Sequence, residues 1–495
     1  MNKHRILLYP LGKELQVNDQ TRLIDVLLEF GIEFPCGGKG TCGKCRVRLL
    51  EGEIKISDVH QRKLDKLGFS TDWRLACFSE CTSDITLEIE QFRHLILADE
   101  SEFEFEPQEG FGVAVDLGTT TIVTQLIELS TAKVLAVETL LNPQVKFGAD
   151  LISRIQAGLE GNADEMTRKI RSSIGKMITL MLKKHNVELK KVVLVGNTVM
   201  QHLFCGLNLT PLSFYPFHVN DLGLKSFEPK NLGWNFDVKE KVRFFPSIGS
   251  FVGSDILAGI AATGLHLNDN FTALIDIGTN GEIVVGNKNQ IVCASTAAGP
   301  AFEGSNISMG MRAVTGAISS LNIIDGAIIA NVIGNIPPKG ICGSALVDAI
   351  AIFRKQEKIG LFGEITSGEK TIALTGKITL SQRDINEFQL AKAAIAAGIN
   401  ILANTLSIQL DNIHTIYIAG AFGNYINIKN MVETGLIEIS EDKIRKMGNT
   451  ALIGAKMFLF TNYEIIDLIL SKTRHINLES DPKFQDLYVE KMLFV

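Results

Sequence analysis

The chain has little that points to a membrane, a nucleic acid or an oxidising compartment. No stretch of its 495 residues reaches the ~18 consecutive apolar residues of a spanning helix. Residues 1–20 carry no apolar signal core, so no targeting peptide is expected. Basic residues are not in excess: 49 Lys and Arg stand against 55 Asp and Glu, a net charge of −6. Neither nucleic acid nor an anionic membrane is therefore expected as a partner. The 8 cysteines are too few for a disulfide framework in so long a chain. Together these absences lead to the expectation of a cytoplasmic protein. The length rules out a single core, and about two to four domains are expected. A hydrophobic share of 46% and a charged share of 21% fit a globular chain.

Half of those few cysteines fall into one pattern. The stretch FPCGGKGTCGKC sets Cys36, Cys42 and Cys45 at C-x5-C-x2-C spacing, and Cys77 follows 32 residues after Cys45. Four thiolates are what a [2Fe–2S] cluster needs, and three on a glycine-rich loop plus one distant is the plant-type layout. The first gap is one residue longer than the plant pattern, as in adrenodoxin-like proteins. Glycines let such a loop wrap a cluster with backbone N–H groups facing its sulfurs. A four-cysteine zinc site is the alternative, but zinc usually takes two C-x2-C knuckles and only Cys42–Cys45 forms one. Cys81, Cys205, Cys293 and Cys342 read as buried small hydrophobes rather than ligands.

Around this loop, residues 4–9 and 13–18 read as a hairpin and Thr21 to Phe30 as an apolar-periodic helix. Strands are expected over Cys45–Leu50 and Asp84–Ile89. That order matches a β-grasp ferredoxin over residues 1–94. Residues 95–110 are acidic and read as an exposed linker, with an edge strand through Phe103 and Phe105 as the other possibility.

A second pattern begins at Phe111. FGVAVDLGTTTIVTQLIEL is a buried strand ending in Asp116, a Gly-Thr turn and a second strand. The unit recurs 160 residues later as FTALIDIGTNGEIVVG, a hairpin near 271–286 built on Asp276. Each strand delivers a carboxylate that can hold Mg2+ through water, and each turn offers backbone N–H groups and hydroxyls to phosphate. One such turn is common; two framed by buried strands indicate a duplicated fold with both hairpins facing one triphosphate. Between them FVGSDILAGIAATG is helical, with Asp255 lying 21 residues ahead of Asp276. An aspartate after Gly253 and Ser254 can equally be a helix N-cap. IYIAGAFGN reads as a strand entering a glycine turn, and GNTALIGAKMFL as a helix rich in small residues.

In this order the segments resemble the phosphate 1, connect 1, phosphate 2, adenosine and connect 2 elements of the acetate and sugar kinase, Hsp70 and actin superfamily. The expected architecture is an α+β β-grasp [2Fe–2S] ferredoxin domain followed by a duplicated α/β actin-like ATPase over 111–495, with ATP between two lobes. The resemblance implies that Gly118, Thr119, Thr120, Gly278, Thr279, Asn280 and Gly281 bind phosphates. It implies that Gly420, Ala421 and Gly423 border the adenosine, that Asp116 and Asp276 hold Mg2+, and that Asp255 orients the attacking water. Glu282 is a second candidate for that task, or a plain strand-face charge.

A ferredoxin joined to such an ATPase resembles the ATP-dependent reductive activators of corrinoid proteins. LVGNTVMQH (194–202), AGPAFEG (298–304), GICGSALVD (340–348) and SQRDINEFQLAKAAIAAG (381–398) are similar to segments of that family. Arg383, Gln389 and Lys392 within the last are expected on a solvated helix face. The resemblance implies a low-potential electron donor, storage of the electron on the cluster, ATP-driven reduction of Co(II) to Co(I) in the corrinoid protein of a methyltransferase system, and a homodimer. Plant-type clusters sit near about −400 mV, and the cobalt couple is expected lower. A gap of ~200 mV is roughly 4.6 kcal/mol, which ATP would offset. Larger members insert a domain between ferredoxin and ATPase, for which this chain has no room. A metabolite kinase, an ATPase-regulated ferredoxin electron carrier and a radical-initiating activator are the alternatives.

Overall fold

The computed structural model describes residues 3–89 and 103–494, apart from 10–12, 31, 33, 35, 44, 299, 305 and 325; of Glu29, Pro300, Ala421 and Asn424 it describes the backbone only. Residues 95–102 of the expected linker lie outside the described residues.

The N-terminal domain is a five-stranded sheet in the order Lys13–Asn18, Lys3–Tyr9, Ile85–Glu88, Arg46–Glu51, Trp73–Leu75. Its first and last strands run parallel, with Ile6 opposite Ile85, and their inward residues Ile6, Leu8, Ile85 and Leu87 build its own core. This is the β-grasp arrangement. Thr21 does not open the helix: Thr21–Arg22 pairs with Glu80–Cys81, and the helix runs only Leu23–Leu27 before a tighter turn Leu28–Phe30. A further helix, Asp58–Lys66, went unread in the sequence. Ser57 caps it by accepting from the His60 amide at 3.2 Å.

The rest of the chain contains two six-stranded sheets of related topology. In the first, Phe111–Leu117 pairs antiparallel with Thr121–Glu128 and parallel with Leu189–Gly196. In the second, Thr272–Ile277 pairs antiparallel with Gly281–Gly286 and parallel with Thr415–Ala419. Both lead strands are buried on both faces, which explains their continuous Val/Ile/Ala runs. Each carries its aspartate next to last, Asp116 and Asp276, so the two turns occupy equivalent corners of the two lobes.

Helices Ser254–Ala262 and Thr450–Phe458 join the lobes, sharing one core with residues of both sheets: Ala114, Val193, Leu274 and Val284. They approach until a side chain no longer fits, since a Cβ on Gly454 would stand 2.1 Å from the Ala258 carbonyl oxygen. Gly454→Ala is therefore expected to lower stability by about 1–3 kcal/mol through forced separation of these helices. Chemical denaturation checks it, and an unchanged midpoint would contradict the tight crossing.

One surface reading is corrected. Most of the described linker is exposed, as expected, but it does not hang free. Phe103 and Phe105 pack on Phe460, with ring centroids 5.7 and 4.9 Å away, and Gln108 accepts from Lys191 at 2.9 Å. Helix Gln382–Thr405 is not solvated along the face that holds Gln389 and Lys392. Lys392 is fully buried, its ammonium donating to the Leu493 carbonyl at 2.6 Å, and Gln389 donates to that of Met492 at 2.9 Å. These two residues anchor the C-terminal segment, whereas Arg383 is exposed.

Candidate functional site

The cysteine loop spans the end of the first helix and the start of strand Arg46–Glu51, and it brings the thiols together as two pairs. The sulfurs of Cys45 and Cys77 lie 3.3 Å apart. Cys42 is within hydrogen-bond reach of Cys36 and, with Thr41, pulls its thiol down to about 4. Cys77 pushes Cys45 up, and Cys36 adds to this, so all four share one neighbourhood. Among the described residues no three His, Cys, Asp or Glu side chains converge on one ion position. A tetrahedral zinc would require all four sulfurs at ~2.3 Å from one centre. Two thiol pairs in one neighbourhood form a four-thiolate set of the kind an iron-sulfur cluster takes. The loop is wound tightly: at Gly40, with φ of 64°, a Cβ would stand 2.5 Å from Phe78. Cys81, Cys293 and Cys342 are buried, and Cys205 is half-buried.

The second site is the cleft between the lobes, a cavity of about 350 Å³. Asp116, Gly118, Thr119, Thr120, Asp255, Asp276, Gly278, Thr279, Asn280, Glu282 and Gly420 all line it. The two turns meet across the cleft, with the Thr120 and Thr279 hydroxyls 3.2 Å apart. Gly281 does not face the cavity; its Cα packs towards Ala298, Thr296 and Ile395. The expected glycine turn after Thr415–Ala419 is the start of helix Gly420–Tyr425. Gly423 lies on the inner side of that helix against Ile418, Ala421 belongs to the same helix, and Phe422 and Tyr425 line the cavity. Gly420 has φ of 86°, and a Cβ there would come within 2.7 Å of an Asp276 carboxylate oxygen. Gly420→Ala is expected to weaken ATP binding about tenfold, from backbone strain of ~1–2 kcal/mol. Calorimetric titration measures it, and wild-type affinity would contradict the close approach.

Five carboxylates line the cleft, and burial holds four of them, Asp116, Asp276, Asp255 and Glu282, above their ordinary range. Asp116 is pushed up to about 6, moderated by Asn449, whose amide donates to it at 2.8 Å. Asp276 is pushed to about 7 by burial and then by Asp116. Asp255 is pushed to about 8, with the charges of Asp276 and Asp116 contributing. Glu282 is raised well above its usual value by burial, then by Asp255 and Asp276. Such crowding of buried carboxylates in one cleft fits a site that a divalent cation and phosphates complete. The N-cap alternative for Asp255 fails, because Gly253 occupies the cap position and Asp255 sits in the first turn facing the cavity.

Three site residues escaped the sequence reading. Glu303 accepts from Thr279 at 3.0 Å and from Thr120 at 3.4 Å, tying the two turns together. Asn197 donates to Thr119 at 2.9 Å while capping helix Thr198–Cys205. Asn449 caps helix Thr450–Phe458 and reaches Asp116. All three lie inside quoted segments, but only the fold shows which of their residues meet.

Among known families, the 2Fe-2S iron-sulfur cluster binding domain matches residues 8–82. The RACo middle region matches 111–268, and the C-terminal domain of RACo, the ASKHA domain, matches 270–495. The corrinoid activation enzyme RamQ of Eubacterium limosum is 32% identical over 588 residues, with 99% of each chain covered. This chain belongs to the corrinoid activation enzymes. The activator is also 26% identical to the Co(II) methylated amine-specific corrinoid protein reductase of Methanosarcina barkeri, over 77% of its length and 76% of that protein's. A solved structure titled reductive activator for corrinoid, iron-sulfur protein superposes with a TM-score of 0.70 at 29% identity, covering 99% of the activator and 98% of that chain. The alignment with RamQ is longer than the activator itself, so that relative carries segments without a counterpart here. The ferredoxin and actin-like ATPase architecture is thus the family's, and no described helix is long and apolar enough to cross a membrane.

Proposed function

We propose that this activator passes one electron at a time to the cobalt of a corrinoid protein, reducing Co(II) to Co(I), and that ATP hydrolysis in the lobe cleft drives the transfer. The observation that carries this is the pairing, in one chain, of two thiol pairs fit for a [2Fe–2S] cluster with a carboxylate-lined cleft closed by two phosphate turns. Cys36 and Cys42 would hold one iron, and Cys45 and Cys77 the other. The cluster, when bound, supplies a one-electron carrier near about −400 mV.

In the cleft, the backbone of Gly118–Thr120 and Gly278–Asn280 would take the phosphates, with Asp116 and Asp276 placed for the water shell of Mg2+. Gly420 lets helix Gly420–Tyr425 start directly over Asp276, and Tyr425 and Phe422 flank the adenosine side. Asp255 would orient the attacking water and take its proton, with Glu282 as the second candidate for that task. The Asp255 carboxyl is raised first by burial and then by the charges of Asp276 and Asp116, and a divalent cation held by those two aspartates would offset the second contribution. A low-potential donor refills the activator, and the family resemblance suggests a homodimer.

The test mixes the anaerobic, reduced activator with a Co(II) corrinoid protein and follows Co(I) absorbance with and without ATP. Co(I) forming only with ATP is expected. Equal Co(I) without ATP would favour the regulated carrier, and a phosphorylated metabolite without Co(I) the kinase.

A further inference from the structure

The two sites are joined by a short strap, residues 142–148. At one end, Asn142 is completely buried and reads the first phosphate turn twice. Its side-chain amide donates to the Gly118 carbonyl at 2.9 Å, and its backbone amide donates to the Thr120 carbonyl at 2.8 Å. The same side chain accepts from the Gln144 amide at 3.0 Å and so caps the tight helical turn Pro143–Lys146. At the other end, Phe147 and Gly148 lie on the cysteine loop. A Cβ on Gly37, the residue after Cys36, would meet the Phe147 carbonyl oxygen at 3.1 Å and the Gly148 nitrogen at 3.4 Å. Lys146 closes the contact with an ion pair of 3.3 Å to Asp25 on the ferredoxin helix, and it also pairs with Glu165 of its own lobe at 2.7 Å.

The strap is stiffened from beneath. Arg154 is fully buried and donates from Nε to the Gly148 carbonyl at 2.9 Å and from Nη1 to the Gln144 side chain at 3.4 Å. Gln144 in turn donates to the Met166 carbonyl at 3.3 Å. A turn that moves when phosphate enters therefore displaces an element with few ways to absorb the motion. That element ends on the backbone beside a cluster ligand.

We propose that Asn142 is a positioning residue that couples nucleotide occupancy at Gly118–Thr120 to the cluster held by Cys36, through the strap 142–148. This rests on the proposed cluster and ATP assignments. Nucleotide adds negative charge and presses the strap on the loop, so it makes the cluster harder to reduce and a stronger donor once reduced. By linkage, the reduced protein binds nucleotide more weakly by the same factor.

The experiment is a redox titration of the cluster-loaded protein, followed by electron paramagnetic resonance, with and without a non-hydrolysable ATP analogue and with no corrinoid protein present. Nucleotide is expected to change the reduced-to-oxidised ratio at fixed potential about tenfold, or ~59 mV for one electron. Analogue affinity is expected to fall about tenfold on dithionite reduction. Asn142→Ser keeps the cap but cannot reach the Gly118 carbonyl. It is expected to bind the analogue and to lose most of the shift. Asp25→Asn, on the exposed ferredoxin side, is expected to reduce the shift and decides the matter should Asn142→Ser fail to fold or to bind. A full shift in both variants would assign the effect to charge through space and overturn the strap, as would no shift in the wild type. ATP-dependent Co(I) formation by a protein whose cluster ignores nucleotide would leave the proposed function standing and remove this inference alone. A strap-dependent shift without Co(I) formation would do the reverse.

Discussion

Asp255→Asn is expected to cut ATP turnover by about 10²–10⁴-fold and, at the same time, to stabilise the nucleotide-free protein at pH 8. The two effects have one cause. Burial, reinforced by Asp276 and Asp116, pushes the Asp255 carboxyl from the ordinary 3.8 to about 8. A carboxyl raised by folding is protonated in the native state over a range where the unfolded chain is already ionised. The native state is therefore progressively disfavoured as pH rises from about 4 to about 8, and the full cost persists above that. Asparagine keeps the contact to the Ile256 amide, which Asp255 makes at 2.8 Å, and carries no charge to bury. The variant should gain about 1 kcal/mol or more at pH 8, since each tenfold change in proton affinity between the two states is worth ~1.4 kcal/mol, and little at pH 4. Denaturation midpoints at the two pH values and steady-state phosphate release check both halves. A variant less stable than wild type at pH 8, or one that hydrolyses ATP normally, would remove Asp255 from the proposed role.

The second large effect belongs to the other site. Cys77→Ala is expected to abolish the cluster's visible absorbance and reduce Co(I) formation to the rate seen without the protein. Analogue binding in the cleft should persist, because no described residue of the ferredoxin domain lines it. Cys77 comes from the turn Ala76–Phe78, outside the loop, and partners Cys45 at 3.3 Å. Its loss would leave one iron of the proposed cluster with a single protein ligand. Spectra of the reconstituted variant and calorimetry with the analogue separate the two expectations. An intact [2Fe–2S] spectrum in the variant would mean that another residue completes the site.

Legibility in the sequence followed locality. Cys36, Cys42 and Cys45 lie within one loop, and the D-x-G-T turns at Asp116 and Asp276 repeat within buried runs, so spacing and repetition revealed them. Most of the phosphate-turn residues line the cavity, yet Gly281 and Gly423 pack against neighbouring strands. A glycine needed for close packing looks the same in sequence as one needed for close approach to phosphate. Glu303, Asn197 and Asn449 were missed as site residues because their partners are far along the chain: Asn449 meets Asp116 across 333 positions. Gln389 and Lys392 look like a solvated face until the C-terminal segment is laid over them. The short strand Thr21–Arg22 and the Phe103–Phe105 clamp depend on distant residues that propensity does not register.

The central claim is that an electron leaves the cluster for cobalt only when ATP is turned over in the cleft. A single-turnover experiment tests it most directly. The activator is reduced by one electron, freed of excess reductant and mixed with a Co(II) corrinoid protein. Electron paramagnetic resonance then follows the reduced cluster and Co(II) signals together. The account predicts that both signals disappear one for one on addition of ATP, and persist with the non-hydrolysable analogue or with the Asp255→Asn variant. Loss of both signals without nucleotide, or Co(I) formation with the cluster still reduced, would contradict it.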